Sequence, residues 1–406
     1  MFAGPESKIA KTGPRKLLAL DGGGMRGLIS IEILARIEQL VREQTGNPRA
    51  VLADYFDYIA GTSTGSIIGT CLALGRTVDE VRNIYLNHGP HMFDRGTIFR
   101  RFRSLYPLKV YPYMLANLLW GMAGRRLAWG YAEYPDTPLI ETYTRPEIIG
   151  GDDVQLGSDH LRTLLMVTMA NATTDSPWPV SNNPLAKYNH PEHPSTNAFI
   201  PMWQLVRASS AAPTIFPPQE IRIGDRMFVF IDGGITSYNN PAFQLFLQAT
   251  LEPYKLCWPT GEREMLLVSI GTGFNPEESP GLRGRDLGFY RQAKGTAIGL
   301  FNAAMFQQDM LCRAFGKCVA GDPLDREVGA MIGIGKRPVA QPLFTYARYN
   351  ADITPAGLAA LGLPDLEVKE VRETDAVTPN AMEHLREIGR RVAAKVDPEL
   401  LRGFPA

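Results

Sequence analysis

The chain has 406 residues, of which 45% are hydrophobic and 21% are charged, so it is long enough to bury a substantial core. Its 42 lysines and arginines balance 42 aspartates and glutamates, which argues against a protein dedicated to binding a nucleic-acid polymer. Four scattered cysteines form no Cys-x-x-Cys pair and give no indication of a disulfide framework or a zinc site.

The N-terminal segment, residues 1–16, is polar and basic and lacks the apolar stretch of a secretory signal. No window of the chain approaches 18 consecutive apolar residues, so we expect no transmembrane helix. These features predict a cytoplasmic protein, which could still make transient contact with a membrane surface.

A glycine-rich motif follows the first apolar run, residues 17–20, which predicts a buried strand. Gly22-x-Gly24-x-x-Gly27 precedes an amphipathic helix and literally matches the dinucleotide-binding fingerprint. That fingerprint requires an acidic residue about 20 positions later, at the end of the next strand. Glu43 has roughly this spacing, but it lies at a helix end. The same glycine amides could instead bind the oxyanion of an acyl-transfer reaction.

A second motif, Gly61-Thr62-Ser63-Thr64-Gly65, joins an apolar run to a helix-like apolar pattern. A serine in a G-x-S-x-G turn between a strand and a helix is exposed as a nucleophile. The helix N-terminus favours the negative charge that develops in the reaction. A glycine-rich turn that merely contains a serine has the same pattern, so this motif alone does not decide between them.

The middle of the chain contains two segments with unusual composition. Residues 105–134 are rich in aromatic and basic side chains, which fits either a helical hairpin packed on the sheet or an interfacial membrane segment. Residues 171–195 are rich in Pro, Asn, Ser and Thr and predict a long irregular loop. Between them, residues 164–170 predict another buried strand.

The remaining pattern predicts alternating strands and helices. Residues 203–212 read as a helix, residues 227–231 as a strand that ends in Asp232-Gly233-Gly234, and residues 265–270 as a further strand. Residues 274–288 resemble a linker. Further elements are predicted at 297–315 (helix), 343–349 (strand) and 379–396 (helix). This alternation is typical of an α/β fold with a mostly parallel central sheet flanked by helices.

The glycine loop, Ser63 and Asp232 each follow a predicted strand, and the carboxyl ends of parallel strands share one edge of a sheet. Ser63 needs a proton acceptor, and Asp232 is the candidate. His384 is the only histidine after Asp232, and it lies among charged residues on a predicted helix. We therefore expect a Ser–Asp dyad, with a Ser–Asp–His esterase of the α/β-hydrolase type as the alternative.

Together these motifs closely resemble those of the patatin-like phospholipases. The family's D-G-G-G-x-R-G stands at residues 21–27, its F-D-x-x-A-G-T-S-T-G at 56–65, its S-A-A-P-T-x-F-P at 210–217, its D-G-G at 232–234 and its G-T-G at 271–273. The resemblance covers roughly residues 16–274. Ser66 departs from it, because the family usually has glycine there, and this bears on how the turn packs.

The resemblance implies a three-layer patatin-like fold, with a catalytic domain at residues 16–274 and a C-terminal extension, 275–406, packed on it. It implies a phospholipase A-type lipid acyl hydrolase that needs neither a metal nor an organic cofactor. Ser63 would be the nucleophile and Asp232 the base. The amides of Gly22, Gly23 and Gly24, supported by Arg26, would form the oxyanion hole. The other motif glycines, which form the turns, are Gly27, Gly61, Gly65, Gly233 and Gly234.

Two further interpretations stay open. Some patatin-type relatives are effectors of bacterial defence systems that a cyclic nucleotide activates, and the 171–195 segment or the C-terminal third could hold such a ligand. The chain could also be an inactive scaffold or nucleotide-binding module that kept its glycine turns. The expected partner is a lipid or phospholipid substrate and not a nucleic-acid polymer.

Overall fold

The computed structural model describes residues 4–93, 134–151, 153–190, 192–213, 215–274, 281–284 and 289–405. Within these ranges a nine-stranded sheet forms the centre of the molecule. Its strands are β1 (Arg15–Leu20), β2 (Tyr58–Thr62), β3 (Leu164–Asn171), β4 (Ser176–Ser181), β5 (Gln219–Ile223), β6 (Arg226–Asp232), β7 (Met265–Ile270), β8 (Lys317–Ala320) and β9 (Thr345–Tyr349).

Helices connect and cover these strands. The α-helices of the described residues are α1 (Pro5–Ala10), α2 (Gly27–Thr45), α3 (Leu52–Tyr55), α4 (Thr64–Ala73), α5 (Val78–Met92), α6 (Thr137–Tyr143), α7 (Met202–Ser209), α8 (Ala242–Thr250), α9 (Phe289–Phe315), α10 (Pro355–Ala360), α11 (Val368–Val371), α12 (Pro379–Ala393) and α13 (Pro398–Arg402). Short 3-10 helices lie at Gly24–Arg26, Asn197–Phe199, Gly233–Ile235 and Glu252–Tyr254.

The strands follow the order β5-β6-β3-β2-β1-β7-β9-β8, and β4 pairs with β3 outside this path. From β3 to β8 every pair of neighbours along the path is parallel. β4 and β6 run antiparallel to β3, and β5 runs antiparallel to β6. The predicted α/β fold with a mostly parallel sheet and flanking helices is therefore confirmed.

The central strands are buried on both faces, which is typical of parallel sheets covered by helices. Alternate residues of a strand point to opposite faces. Leu18 and Leu20 of β1 belong to a hydrophobic cluster that includes residues of α2 and α4. Leu17 and Ala19 belong to a second cluster that includes residues of α8. Helices thus cover both faces of the sheet, which gives three layers.

The loop predicted over residues 171–195 is wrong in part, because β4 occupies Ser176–Ser181 and pairs antiparallel with β3. Two prolines, Pro177 and Pro179, make this strand difficult to predict from the sequence. Proline has no amide hydrogen to donate, so within a strand it is found at sheet edges and bulges. β4 tolerates both prolines because β3 is its sole partner strand in the part of the chain that the structure describes.

The C-terminal part of the chain contributes to the same sheet. β8 and β9 extend the sheet beyond β7. Helix α12 packs against α2, and Arg386 of α12 donates to the carboxylate of Glu32 on α2 over 2.8 Å. The boundary between residues 16–274 and 275–406 stays a prediction.

Two segments singled out in the sequence are described only in part. Residues 105–133 of the aromatic and basic segment lie outside the described residues, so its interfacial interpretation stays open. Of the predicted linker, the structure describes Phe274 and residues 281–284. Among the described helices, none has both the length and the apolar character needed to cross a membrane.

Candidate active site

Ser63 lies in a sharp turn between the end of β2 and the start of α4. Its backbone has φ 52° and ψ −122°, a strained conformation for a residue with a side chain. The glycines on both sides allow the turn to form, because backbone atoms approach them closely. A Cβ on Gly61 would overlap the carbonyl oxygen of Gly65, and a Cβ on Gly65 would overlap that of Leu20. This is the strand–turn–helix geometry that the G-x-S-x-G pattern predicts.

Two serines hold the backbone of Ser63 in place. The Ser63 amide donates to Ser209 Oγ over 2.9 Å, and Ser209 Oγ donates to the Thr168 carbonyl over 2.6 Å. Ser66 Oγ donates to the Ser63 carbonyl over 2.6 Å. The departure from glycine at Ser66 therefore adds a hydrogen bond to the turn. Ser209 was missed in the sequence, although it immediately precedes the recognised segment 210–217.

Ser63 Oγ donates a hydrogen bond to Asp232 Oδ2 over 2.7 Å. Asp232 is 3% exposed, and its other oxygen accepts a 2.6 Å hydrogen bond from the Gly234 amide. The two side chains are in contact, but the expectation that Asp232 follows a strand parallel to the others is wrong. Strand β6, which ends at Asp232, runs antiparallel to β3 rather than parallel to it.

The sheet register explains how Asp232 nevertheless reaches Ser63. Thr62 at the end of β2 is level with Thr168 of β3, and the next residue of β3, Met169, is level with Asp232. β3 extends past the end of β2, and β6 pairs with this extension in the antiparallel direction. Asp232 therefore arrives at the level of Ser63, at the carboxyl edge of the parallel strands.

The buried position of Asp232 changes its acidity. Loss of hydration on burial raises the pKa of this carboxyl from its ordinary 3.8 to about 6, while hydrogen bonds from Ser63 and Gly234 and the charge of Arg207 oppose the rise. Above that pH the group is a carboxylate that can accept a proton. A carboxyl group with such a raised pKa, next to a serine hydroxyl, is a feature often found at functional sites.

The glycine loop, residues 21–27, lies beside Ser63, and a Cβ on Gly22 would come within 3.1 Å of Ser63 Cβ. The Gly22 amide already donates to the Asn239 carbonyl over 3.2 Å. The amides of Gly23 and Gly24 have no acceptor among the described residues, and both glycines line the cavity in front of Ser63. Of the three amides in the predicted oxyanion hole, these two remain available to a ligand.

Arg26 also lines this cavity, and burial lowers its pKa to about 10. Its buried Nε has no hydrogen-bond partner, and its side chain donates to no group of the glycine loop in the described part of the chain. The loop is instead fastened by residues that the sequence analysis missed. Arg348 of β9 forms an ion pair with Asp21, and Thr272 Oγ1 donates to the Gly22 carbonyl over 2.7 Å.

The cavity has a volume of about 940 Å³, which is in the range of small-molecule sites. Ser63 and Asp232 line it together with many apolar side chains. The larger of these are Met25, Ile67, Met92, Phe93, Leu139, Ile215, Phe216, Ile235, Phe274, Leu300 and Met305. The cavity therefore brings a serine hydroxyl and a carboxylate together with a largely apolar wall.

His384 does not belong to this arrangement. It lies on α12, and its Nδ1 is 2.9 Å from the carboxylate of Glu370. No histidine is found among the described residues that line the cavity. The described ranges also contain no cluster of three or more His, Cys, Asp or Glu residues able to hold a metal ion.

Comparison with known proteins gives the class of the molecule. The model of the family described as "Patatin-like phospholipase" matches residues 18–246, which is more than half of the chain. The chain therefore belongs to the patatin-like phospholipase family. The matched region contains the glycine loop, Ser63 and Asp232.

Individual relatives are distant. The chain is 28% identical to an intracellular phospholipase A2 of Caenorhabditis elegans, over 66% of this chain and 20% of that protein. It is 26% identical to a cGAMP-activated phospholipase of Escherichia coli (63% and 62%) and 27% identical to Patatin-2-Kuras 3 of Solanum tuberosum (64% and 61%). The match thus spans less than two thirds of the length of each of these relatives. A solved structure of VipD from Legionella pneumophila is similar with a TM-score of 0.35 and 14% identity, over 96% of this chain and 67% of that one.

Proposed function

We propose that the chain is a lipid acyl hydrolase that releases fatty acids from lipid or phospholipid esters with a Ser63–Asp232 dyad. The observation that carries this proposal is the 2.7 Å hydrogen bond from Ser63 Oγ to the buried carboxylate of Asp232. Two features support it. The strained turn presents the hydroxyl to a large apolar cavity, and the family is one of phospholipases.

The proposed reaction has two halves. Ser63 Oγ bonds to the ester carbonyl carbon while Asp232 takes the hydroxyl proton, and the carbonyl oxygen becomes an oxyanion near the Gly23 and Gly24 amides. The tetrahedral intermediate then expels the alcohol, which takes the proton from Asp232. A water molecule attacks the acyl-enzyme, with Asp232 again accepting the proton. Collapse of the second intermediate releases the fatty acid and returns the proton to Ser63.

The raised pKa of Asp232 suits this role. A general base works best when its pKa lies close to the working pH, because it is then both deprotonated and basic enough to take a proton. Burial raises the pKa of Asp232 to about 6, well above that of an ordinary aspartate. The buried carboxylate is thus a stronger base than a solvated one and is still mostly ionised at pH 7.

This raised pKa predicts the pH dependence of the reaction. We expect kcat/KM for a p-nitrophenyl ester to fall as pH decreases through about 6, because protonated Asp232 cannot accept the Ser63 proton. Below the midpoint the rate should fall about tenfold for each pH unit. Initial rates between pH 4.5 and 8.5 measure this, with each sample returned to pH 7.5 to show that the enzyme stayed intact. A rate that is constant down to pH 4.5 would contradict the assignment.

The proposed activity is tested by fatty-acid release from phospholipid mixed micelles. Wild-type protein is expected to release fatty acid and to be labelled by a fluorophosphonate. Ser63→Ala should do neither, because the nucleophile is absent. A wild-type protein that is inert in both assays, with and without cGAMP, or a Ser63→Ala protein that keeps its activity, would refute the proposal.

The same assay distinguishes a regulated form of this function. Relatives of Escherichia coli and Vibrio cholerae are named cGAMP-activated phospholipases. We therefore propose, as the second candidate, that a cyclic nucleotide activates the hydrolase. Fatty-acid release with cGAMP but not without it supports this candidate, whereas equal release in both conditions supports a constitutive enzyme.

A further inference from the structure

The first residue of the glycine loop, Asp21, is tied to a residue 327 positions later in the chain. Arg348 Nη1 donates to Asp21 Oδ1 over 2.9 Å, and Arg348 Nη2 donates to Asp21 Oδ2. Nη1 also donates to Ser269 Oγ over 2.7 Å. All three side chains are buried. A bidentate pair of this kind fixes both the position and the orientation of the carboxylate.

The sheet brings these residues together. β7 lies between β1 and β9, and Ser269 of β7 is level with Arg348. Asp21 follows Leu20, the last residue of β1, and its amide donates to the Ile270 carbonyl over 3.0 Å. Arg348 therefore reaches across β7 to the point where the chain leaves β1 and enters the glycine loop.

Gly23 and Gly24, whose amides remain available in the cavity, lie two and three residues after Asp21. Thr272 binds the Gly22 carbonyl, and the Met25 amide donates to the Thr374 carbonyl over 2.7 Å. Arg348, Thr272 and Thr374 all lie beyond residue 246, where the family match ends. The part of the chain beyond the family match thus contributes three of the contacts that hold the loop, and Asn239, within the match, accepts from the Gly22 amide.

We propose that Arg348 is a positioning residue for the oxyanion-binding amides. It orients Asp21 and, through the backbone, the peptide units of Gly23 and Gly24, without touching the substrate. This inference rests on the proposed hydrolase function. It differs from a purely stabilising role because a displaced amide weakens binding of the transition state more than binding of the ester.

Arg348→Lys tests the proposal, because lysine keeps the charge but cannot form the planar two-point contact. Loss of one oxyanion donor typically costs about 10²–10³ in rate, and we expect a displaced loop to cost about 10- to 100-fold in kcat with KM changed less than about threefold. A lipid trifluoromethyl ketone, which forms a tetrahedral adduct with serine, should bind more weakly by a similar factor. Fluorophosphonate titration counts the active molecules, so that unfolded protein does not enter kcat.

Arg313→Lys is the matched control. Arg313 is also buried and forms a two-point pair, with Nε and Nη2 2.8 and 2.9 Å from the two oxygens of Asp309, but it does not contact the loop. We expect this variant to lose stability without a change in kcat or in trifluoromethyl ketone affinity. If Arg348→Lys behaves in the same way, the positioning role is refuted.

A double variant, Asp21→Asn with Arg348→Gln, guards against failure to fold, because it removes both buried charges together and leaves no unpaired ion. It should show the same kcat-selective loss, and normal kcat in this variant would overturn the inference. A wild-type protein without esterase activity, both with and without cGAMP, would instead refute the proposed function. The two failures are therefore distinguishable.

Discussion

Asp232→Asn protein is expected to hydrolyse p-nitrophenyl esters about 10²–10⁴-fold more slowly than wild type, which is the usual contribution of a general base. Asparagine has nearly the shape of aspartate and can still accept the Gly234 amide hydrogen bond. Its amide group, however, has no basic lone pair for the Ser63 proton. Values of kcat and KM from initial rates at pH 8 measure the loss, which should appear in kcat.

The same substitution should not destabilise the protein at high pH. The pKa of Asp232 is raised in the folded state, from its ordinary 3.8 to about 6, so the folded protein binds this proton more tightly than the unfolded chain. The contribution to stability is therefore largest below about pH 4 and is lost as pH rises through 6. Above pH 6, this rise in the pKa of Asp232 lowers the free energy of unfolding by about 3 kcal/mol compared with an aspartate of ordinary pKa. In thermal melts, Asp232→Asn should gain stability relative to wild type between pH 4 and 8.

His384→Asn is the control for the identity of the base. His384 is partly exposed on α12 and lies beside Glu370 of α11, away from the cavity, so this variant is expected to keep wild-type kcat. An active Asp232→Asn protein together with an inactive His384→Asn protein would show that His384, not Asp232, is the base, as in the alternative Ser–Asp–His esterase. Activity in both variants would exclude both residues as the base.

The parts of the site that the sequence predicts are those set by local backbone geometry. A Gly-x-Ser-x-Gly turn between an apolar strand and a helix restricts the chain to few conformations, so five residues predict the turn at Ser63. The choice of Ser63 as nucleophile also required the glycine loop and Asp232. Burial of a short apolar run likewise predicts β1, β2, β3 and β7, because residues buried on both faces leave no alternation. β7 is found at Met265–Ile270, the predicted bounds.

The parts that were missed depend on contacts between distant segments. Arg348 is one arginine among many, and its role follows from the order of β1, β7 and β9 in the sheet. The direction of β6 was not predictable from its composition, because a buried strand has the same apolar pattern in either direction. For this reason, the sequence predicted only that Ser63 and Asp232 lie at the same edge of the sheet. The structure shows the antiparallel pairing of β6 with β3 that places Asp232 there.

Gly65→Ala is expected to damage both stability and activity, because a Cβ at this position would overlap the backbone carbonyl of Leu20 in β1. Rotation of a side chain cannot relieve this overlap, so α4 and β1 would have to move apart. Overpacking of this kind costs about 1–3 kcal/mol and occasionally more. Displacement of Ser63 by about 1 Å should lower kcat about 10²-fold. Urea unfolding and ester hydrolysis measure the two effects.

Gly69→Ala provides the comparison within the same helix. A Cβ on Gly69 would lie 3.3 Å from Ile59 Cγ2, a side-chain atom that can shift by a few tenths of an ångström. Alanine also improves helix propensity by about 1 kcal/mol over glycine, which offsets the tighter packing. We therefore expect Gly69→Ala to remain active, with its free energy of unfolding within about 1 kcal/mol of wild type. Equal stability and activity in the two variants would mean that α4 does not approach β1 closely at Gly65, and the strained turn would then need another explanation.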